Sequence, residues 1–323
     1  MTTDKVIVVG AGVSGLTTGV VLLEAGLSVV VVAEEVPGRT SLAAGALWGP
    51  YLVEPWPKVR EWSLASLAEF RLLAEDGESG VRMTGGIEAA RHSMEAPEWS
   101  ELLPDFRPCD ADELPPGFVV GHRFTVPLVD MPVYLAWLRA RFLELGGQIE
   151  TRTVRSFDEF RGVAAVVNCS GLGARALAID TGLRPIRGQH VIVENPGLTE
   201  FFSEDTGLSP DLVCFYPHGD TVTLGGTAID GDGSLADDDE AVRNILKRCA
   251  AVEPRLASAR IIEQRIGARP TRAEVRVELD TGTYAAPLVH NYGHGGAGVT
   301  LSWGCARETA RLVTSAIWTA EGH

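Results

Sequence analysis

The chain has 323 residues, with 28 Lys+Arg against 43 Asp+Glu and a formal charge of −15 at pH 7. That balance argues against nucleic acid or anionic lipid as a partner, since both need a basic surface, and the length points to about two domains with full-sized cores. Glycine is in excess, 36 of 323 residues or about 11% against a usual ~7%; with no G-X-Y period, the excess marks backbone that turns sharply or approaches a ligand.

Val6-Ile7-Val8-Val9 reads as a buried strand, and Gly10, Gly12 and Gly15 follow at once. Leu16, Val20 and Leu23 then form an apolar helical stripe, Gly26 stops it, and Ser28 to Ala33 is a second strand. This is a β-turn-α-β unit with parallel strands. Residues Gly38 to Pro57, with Trp48 and Trp56, read as an irregular stretch of the kind that is often functional in compact domains. Helices are expected over Val59 to Ala74 and, capped by Asp130, from Met131 to about Leu145. Ala164 to Val167 is a short strand entering Asn168-Cys169-Ser170-Gly171, and His190 to Glu194 and Val213 to Gly225 read as antiparallel strands. The acids Asp237 to Glu240 either favour a helix start ahead of Ala241, Ile245 and Cys249 or form a solvated face. A strand at Leu288-Val289 enters another glycine-rich turn, and a helix from about Gly304 to Trp318 closes the chain.

Glycine clusters thus follow strands at Gly10–Gly15, Gly171–Gly173 and Gly293–Gly298. Their separation implies a nucleotide domain assembled from distant segments, 1–55, 135–190 and 265–323, interleaved with a second domain of 56–134 and 191–264. Gly10-Ala11-Gly12-Val13-Ser14-Gly15 fits G-x-G-x-x-G between a strand and a helix. Gly10 allows the tight turn, Gly12 leaves room for a pyrophosphate, and Gly15 lets helix and strand pack closely. Free N–H groups at the helix start, those of Val13 and Ser14 among them, suit phosphate. Glu34, 24 residues after Gly10, suits ribose hydroxyls and disfavours a 2′-phosphate, while Glu35 reads as solvated. The motif alone does not separate NAD from FAD.

Further along, the sequence resembles the D-amino acid oxidase family, which includes D-aspartate oxidase. The strongest match runs from Leu288 through His290-Asn291-Tyr292-Gly293-His294-Gly295-Gly296-Ala297-Gly298 to Gly304-Cys305-Ala306. Three further blocks agree: Ala43 to Tyr51, Arg187-Gly188-Gln189 and Gly267-Ala268-Arg269-Pro270. The resemblance implies an α/β fold, with a Rossmann-like FAD-binding domain interleaved with a mixed, largely antiparallel substrate-binding domain. It implies non-covalent FAD, hydride transfer from a D-amino acid to flavin N5, and oxygen as final acceptor, giving 2-oxo acid, ammonia and hydrogen peroxide. Carried over residue by residue, Arg269 holds the substrate carboxylate and the carbonyl of Gly296 accepts from the amine. Gly295, Gly296, Ala297, Gly298, Val299 and Thr300 lie along the flavin, as do Ala44, Gly45, Ala46 and Leu47, with Gly171 nearby. Thr300 is expected at the N1–C2=O edge. His290 is read as structural; His294 either touches the cofactor or packs behind it.

The departures matter. The family's substrate tyrosine in a Tyr-x-x-Pro strand is here Cys214, and Tyr216, on the same strand face, is the candidate replacement. Ser209-Pro210-Asp211 occupies the region of a lid tyrosine, and Glu35 stands where some relatives carry an arginine. Leu47, Trp48, Phe215 and Tyr216 suggest neutral or apolar D-amino acids, with Arg184 and Arg187 as the residues that could line the pocket and alter this. D-aspartate oxidase, glycine/sarcosine-type oxidase and an NAD-dependent dehydrogenase are the alternatives. Five cysteines without a C-x-x-C pair read as reduced thiols, no metal site is expected, and the ending Ala320-Glu321-Gly322-His323 lacks a Ser-Lys-Leu signal. A cytoplasmic homodimer is the expectation.

Overall fold

The computed structural model describes residues 3–51, 53–204, 211–282 and 284–320. In chain order these form β1 (Thr3–Val9), α1 (Val13–Glu24), β2 (Ser28–Ala33), α2 (Arg39–Leu42), α3 (Trp56–Asp76), β3 (Val81–Ala90), β4 (Arg107–Pro108), β5 (Val120–Val129), α4 (Met131–Glu144), β6 (Gln148–Thr151), β7 (Val163–Asn168) and α5 (Ala174–Leu177). There follow β8 (Arg184–Glu194), β9 (Phe201–Glu204), β10 (Asp211–His218), β11 (Thr221–Thr227), β12 (Ile229–Asp230), α6 (Asp239–Val252), β13 (Ile261–Asp280), β14 (Leu288–His294) and α7 (Gly298–Ala320).

The valine run of β1 sits centrally in a parallel group ordered β14-β7-β1-β2-β6. Strands buried on both faces read as unbroken apolar runs, which is why Val6 to Val9 and Val29 to Val32 lack alternation. Helices α1, α4 and α7 cover one face, and the main core joins Leu16, Val20, Leu135, Leu138, Phe142, Val299 and Val313. The rest of the sheet, β4-β5-β3-β9-β10-β11-β8-β13, is antiparallel except for the parallel pair β3–β9. Its outer face carries α6 over a second core of Val191, Val193, Phe202, Phe215, Leu224 and Ile245. The fold is therefore a mixed α/β arrangement with a Rossmann-like region and a largely antiparallel sheet.

β13 joins the two halves. It pairs with β8 from Ile261 to Thr271 and with β14 from Thr271 to Asp280. Several expected elements differ at their ends. The last helix begins at Gly298, not near Gly304, so the glycine turn is shorter and its end is helical. α3 starts at Trp56, and the stretch read as irregular contains α2. Asp130 does occupy the position before α4, but its side chain makes no capping bond. Among the acids, Asp238 caps α6, accepting from the N–H groups of Glu240 and Ala241 at 3.0 Å each. All five cysteines are free thiols. Among the described residues no helix is long and apolar enough to cross a membrane and no cluster of three metal-ligating side chains occurs.

Candidate active site

A cavity of about 1570 Å³ runs along the carboxyl ends of the parallel strands and out over the antiparallel sheet. That exceeds an ordinary small-molecule pocket of roughly 300–1,000 Å³, so it has room for a dinucleotide together with a small substrate.

Backbone shapes one end. Gly10 has φ +112°, and a Cβ on it would lie 2.3 Å from the Cys169 carbonyl oxygen, so only glycine lets β1 turn against the exit of β7. A Cβ on Gly15 would lie 1.9 Å from the Gly10 carbonyl oxygen: Gly15 packs helix on strand, as its place in the motif predicts, and does not line the cavity. Gly12 is open except toward the Ser41 hydroxyl. That hydroxyl accepts from the Val13 N–H at 2.9 Å, so Ser41 stands at the start of α1, where phosphate binding is expected. Ser41 is a cofactor-end residue that the motif does not reveal, because it comes from α2. Ser14 and Gly171 line the cavity, and Glu34, exposed just past β2, lines its rim. Glu35 also lines the rim, exposed as expected, in a surface ion pair with Arg39 at 3.5 Å.

The middle of the cavity lies between the segment Ala43–Gly49 and the start of α7. Ala46 adopts φ +57°, a conformation costing a non-glycine residue about 1–3 kcal/mol. It is held there by flanking bonds: the Val129 N–H donates to the Ala46 carbonyl at 3.1 Å, and the Trp48 N–H to that of Pro127 at 2.9 Å. Ala44, Gly45, Ala46 and Leu47 all face the cavity. Opposite are Gly295, Gly296, Gly298, Val299 and Thr300. Ala297 is not among them; it packs with Trp62 and Leu301 behind the turn. The Thr300 hydroxyl accepts from the Gly49 N–H and donates to its carbonyl, both at 3.1 Å. Its one proton is thus used to staple the loop, and the positive end of α7 is what remains to face negative charge. His294 lines the cavity and donates from Nε2 to Asn291 Oδ1 at 3.0 Å; burial holds its pKa down to about 4. His290 is structural: it accepts from the Asn168 amide at 3.2 Å and donates to Asp280 at 2.8 Å.

Side chains shape the other end. Arg269, on β13, lays its guanidinium over Gly188, where a Cβ would lie 2.5–2.6 Å from Nη1, Cζ and Nη2. Nη1 donates to the Thr227 carbonyl at 3.1 Å, and the groups acting on its charge are Cys214, Tyr216 and Tyr51 rather than a carboxylate. Burial lowers its pKa from the usual arginine value, yet arginine stays protonated at neutral pH. A Cβ on Gly296 would lie 3.8 Å from Arg269 Cδ, so the glycine turn and the cation meet. Tyr216 lies against Gly45, and its hydroxyl is 3.5 Å from the Ser203 hydroxyl. Burial raises the Tyr216 pKa well above its ordinary value and pushes the Cys214 thiol up to about 11, so both are neutral. His190, beside Gly225, donates from Nδ1 to the Ala43 carbonyl at 2.8 Å; burial and the Arg269 charge hold it down to about 4.

Two expected pocket residues are elsewhere. Phe215 alternates to the opposite face of β10 and stacks on Phe202 with ring centroids 5.2 Å apart. Arg187 alternates away on β8 and bonds Gln189 and the Ala236 carbonyl, each at 2.7 Å. Arg184 does reach the cavity, held by Asp230 at 2.8 Å. Tyr51, His190, Ser203 and Glu88 line the cavity without having been assigned from sequence. Period-2 alternation could have placed Glu88 and Ser203 only with the strand pairing known. The region of the expected lid tyrosine, Ser209-Pro210, lies outside the described residues.

A parallel sheet whose glycine turns leave a dinucleotide-sized space, opening onto a buried arginine beside them, is the arrangement of a dinucleotide-dependent oxidoreductase. The model of the FAD dependent oxidoreductase family (DAO) matches residues 5–312, and the chain belongs to that family. It is 46% identical over 316 residues to a D-amino-acid oxidase of Rubrobacter xylanophilus, covering 97% of each chain. It is 43% identical over 313 residues to a D-amino-acid oxidase of Streptomyces coelicolor, covering 96% of this chain and 97% of the relative. The glycine oxidase structure of Geobacillus kaustophilus superposes with a TM-score of 0.82 at 20% identity, over 97% of this chain and 95% of that one, which shows a shared fold. The chain is an oxidase, and non-covalently held FAD is its cofactor, which sets the nicotinamide reading aside.

Proposed function

We propose that the protein oxidatively deaminates D-amino acids, with neutral or apolar side chains preferred over D-aspartate. The observation carrying this reading is the meeting of Arg269 with the Gly295–Gly296 turn inside one cavity. When bound, FAD supplies the two-electron acceptor that takes hydride from Cα and passes the electrons to oxygen, yielding hydrogen peroxide and an imino acid that hydrolyses to 2-oxo acid and ammonia. The chain's own part is orientation. Arg269 binds the substrate carboxylate by charge and a two-point hydrogen bond. The Gly296 carbonyl accepts from the amine, so two anchors fix which face of Cα turns to the cofactor. The Tyr216 phenol, kept neutral by burial, donates to the carboxylate in the place left by Cys214. Leu47, Trp48 and the neutral His190 keep water from the reacting carbon.

The cofactor roles of Gly10, Gly12, Val13, Ser14, Glu34, Gly171, Gly295, Gly296, Gly298, Val299 and Thr300, with Gly15 and Ala297 packing behind them, and the two interleaved domains, belong to the same reading; the lining of the cavity and the three separate strand-to-glycine turns support them. A cytoplasmic location suits five free thiols. The test is a peroxide and 2-oxo acid assay over matched D- and L-amino acids. Turnover of D-alanine and D-leucine with little for the L-forms is expected; turnover confined to glycine, sarcosine or D-aspartate would overturn the stated preference.

A further inference from the structure

We propose that Gly188 is a positioning residue for substrate binding: its bare backbone is the seat on which the Arg269 guanidinium lies flat, so that the cation meets the substrate carboxylate with its edge; this rests on the D-amino acid reading above. β8 and β13 pair so that Ile186, Gly188 and His190 share a face with Gly267 and Arg269, with Gly188 directly opposite Gly267. These five line the cavity, whereas Arg187, Gln189 and Ile266 at alternate positions do not. Glycine weakens a strand interior and occurs there where another group approaches closely. Neither glycine has a positive φ, so the backbone itself would accept any residue and only space excludes a side chain. The Gly267 half of this floor is covered by the segment Thr40–Ala43, where an added Cβ would lie 3.1 Å from Ala43 Cβ and Thr40 Cα. The Gly188 half is covered by Arg269.

A Cβ on Gly188 would lie 2.5 Å from Arg269 Nη1 and 2.6 Å from both Cζ and Nη2. Such near-equal distances put that point over the face of the guanidinium, because approach at the edge would leave Cζ farther away than the nitrogens. Nη1 is tied to the Thr227 carbonyl at 3.1 Å, and an added Cβ on Gly296 would lie 3.8 Å from Cδ of the stem. Face, corner and stem are thus set, and the Nη2 edge is left to make the in-plane, two-point bond to a carboxylate. A methyl group at position 188 would need ordinary carbon contact of about 3.5–4.0 Å and would drive the cation off its seat by about 1 Å. The substrate carboxylate keeps its charge while hydride leaves Cα. Misplacing its partner therefore weakens ground state and transition state alike, and the loss falls on KM.

The experiment measures kcat and KM for D-alanine, and inhibition by its 2-oxo acid product pyruvate, in the wild type, G188A, R269K and the double variant, with bound-flavin absorbance as the check on folding. G188A is expected to raise KM and the pyruvate inhibition constant together, by about tenfold or more, with kcat changed about threefold or less and the flavin retained. Lysine has no plane to be wedged, so in the R269K background the same change should cost less than about threefold. If G188A alone loses its flavin, the double variant should still be yellow, because the clash is with the guanidinium. Kinetics of G188A within twofold of wild type, a loss confined to kcat, or an equal cost with and without the guanidinium would each overturn the assignment of Gly188 while leaving the function in place. A wild-type holoprotein that oxidises no D-amino acid would overturn the underlying reading, and this proposal with it.

Discussion

The two ends of the cavity are built from different materials. At the cofactor end the walls are backbone: the turns at Gly10–Gly12, Gly171 and Gly295–Gly296, with the start of α7 between them. At the substrate end they are side chains contributed by separated strands: Arg269 from β13, His190 from β8, Tyr216 and Cys214 from β10, and Glu88 from β3. A backbone wall tolerates little substitution where an added Cβ would strike a neighbour's backbone, as at Gly10, or where φ is positive, as at Gly171 and Gly295. A side-chain wall can be re-specified one residue at a time.

The largest effect is expected where the backbone wall is broken. Gly10→Ala places a Cβ against the Cys169 carbonyl at φ +112° and should leave the protein colourless and destabilised by about 2–4 kcal/mol, read from its visible absorbance and thermal midpoint. A yellow protein of wild-type stability would contradict the cradle. At the other end, Arg269→Leu should keep its flavin yet raise KM for D-alanine by about 10²–10³-fold, since the substrate carboxylate then lacks its charge partner in a desolvated site. Unchanged steady-state kinetics would remove Arg269 from the site.

Each end holds one buried neutral histidine, His294 at the glycine turn and His190 on the substrate floor, both held down to about 4. Unfolding raises each to the ordinary histidine value near 6.5, so below that pH the unfolded chain binds more protons. The stability present above pH 6.5 is therefore lost as pH falls toward 4, on the order of 3 kcal/mol per histidine. Thermal unfolding from pH 7 to 4 checks this, and His190→Asn and His294→Asn should each flatten the slope. His190→Asn retains a donor for the Ala43 carbonyl. A slope equal to wild type in both would contradict buried neutral rings. The smallest effect is that of Tyr216→Phe, a rise of tenfold or less in KM for D-alanine with kcat little changed, as suits one neutral hydrogen bond. No change in KM would make Tyr216 a packing residue.

How much could be read in the sequence follows the same division. The parallel unit and its glycine turns are legible because a backbone requirement is written locally, in glycines at fixed offsets after an apolar run, and that unit also sets Glu34 at the cavity rim. Arg269 and Gly296 were legible through family resemblance and not through spacing. Phe215 was misplaced because two adjacent strand residues cannot share a face, and only the position of Tyr216 decides which face is the cavity's. Ser41, Ser203 and Glu88 reach the site through pairings between segments far apart in the chain, and the length of β13, which joins both halves, is not signalled by any period. The bonds that engage the Thr300 hydroxyl with Gly49 depend on a loop 251 residues away in the chain, which no local pattern signals.

The central claim is that one cavity holds FAD and, on Arg269, a D-amino acid. Anaerobic mixing of the yellow holoprotein with D-alanine tests it most directly. Loss of the oxidised flavin spectrum in the wild type, with Arg269→Leu remaining yellow at the same concentration, is the predicted result. A wild-type protein that keeps its full oxidised spectrum with D-alanine and D-leucine alike would contradict the account.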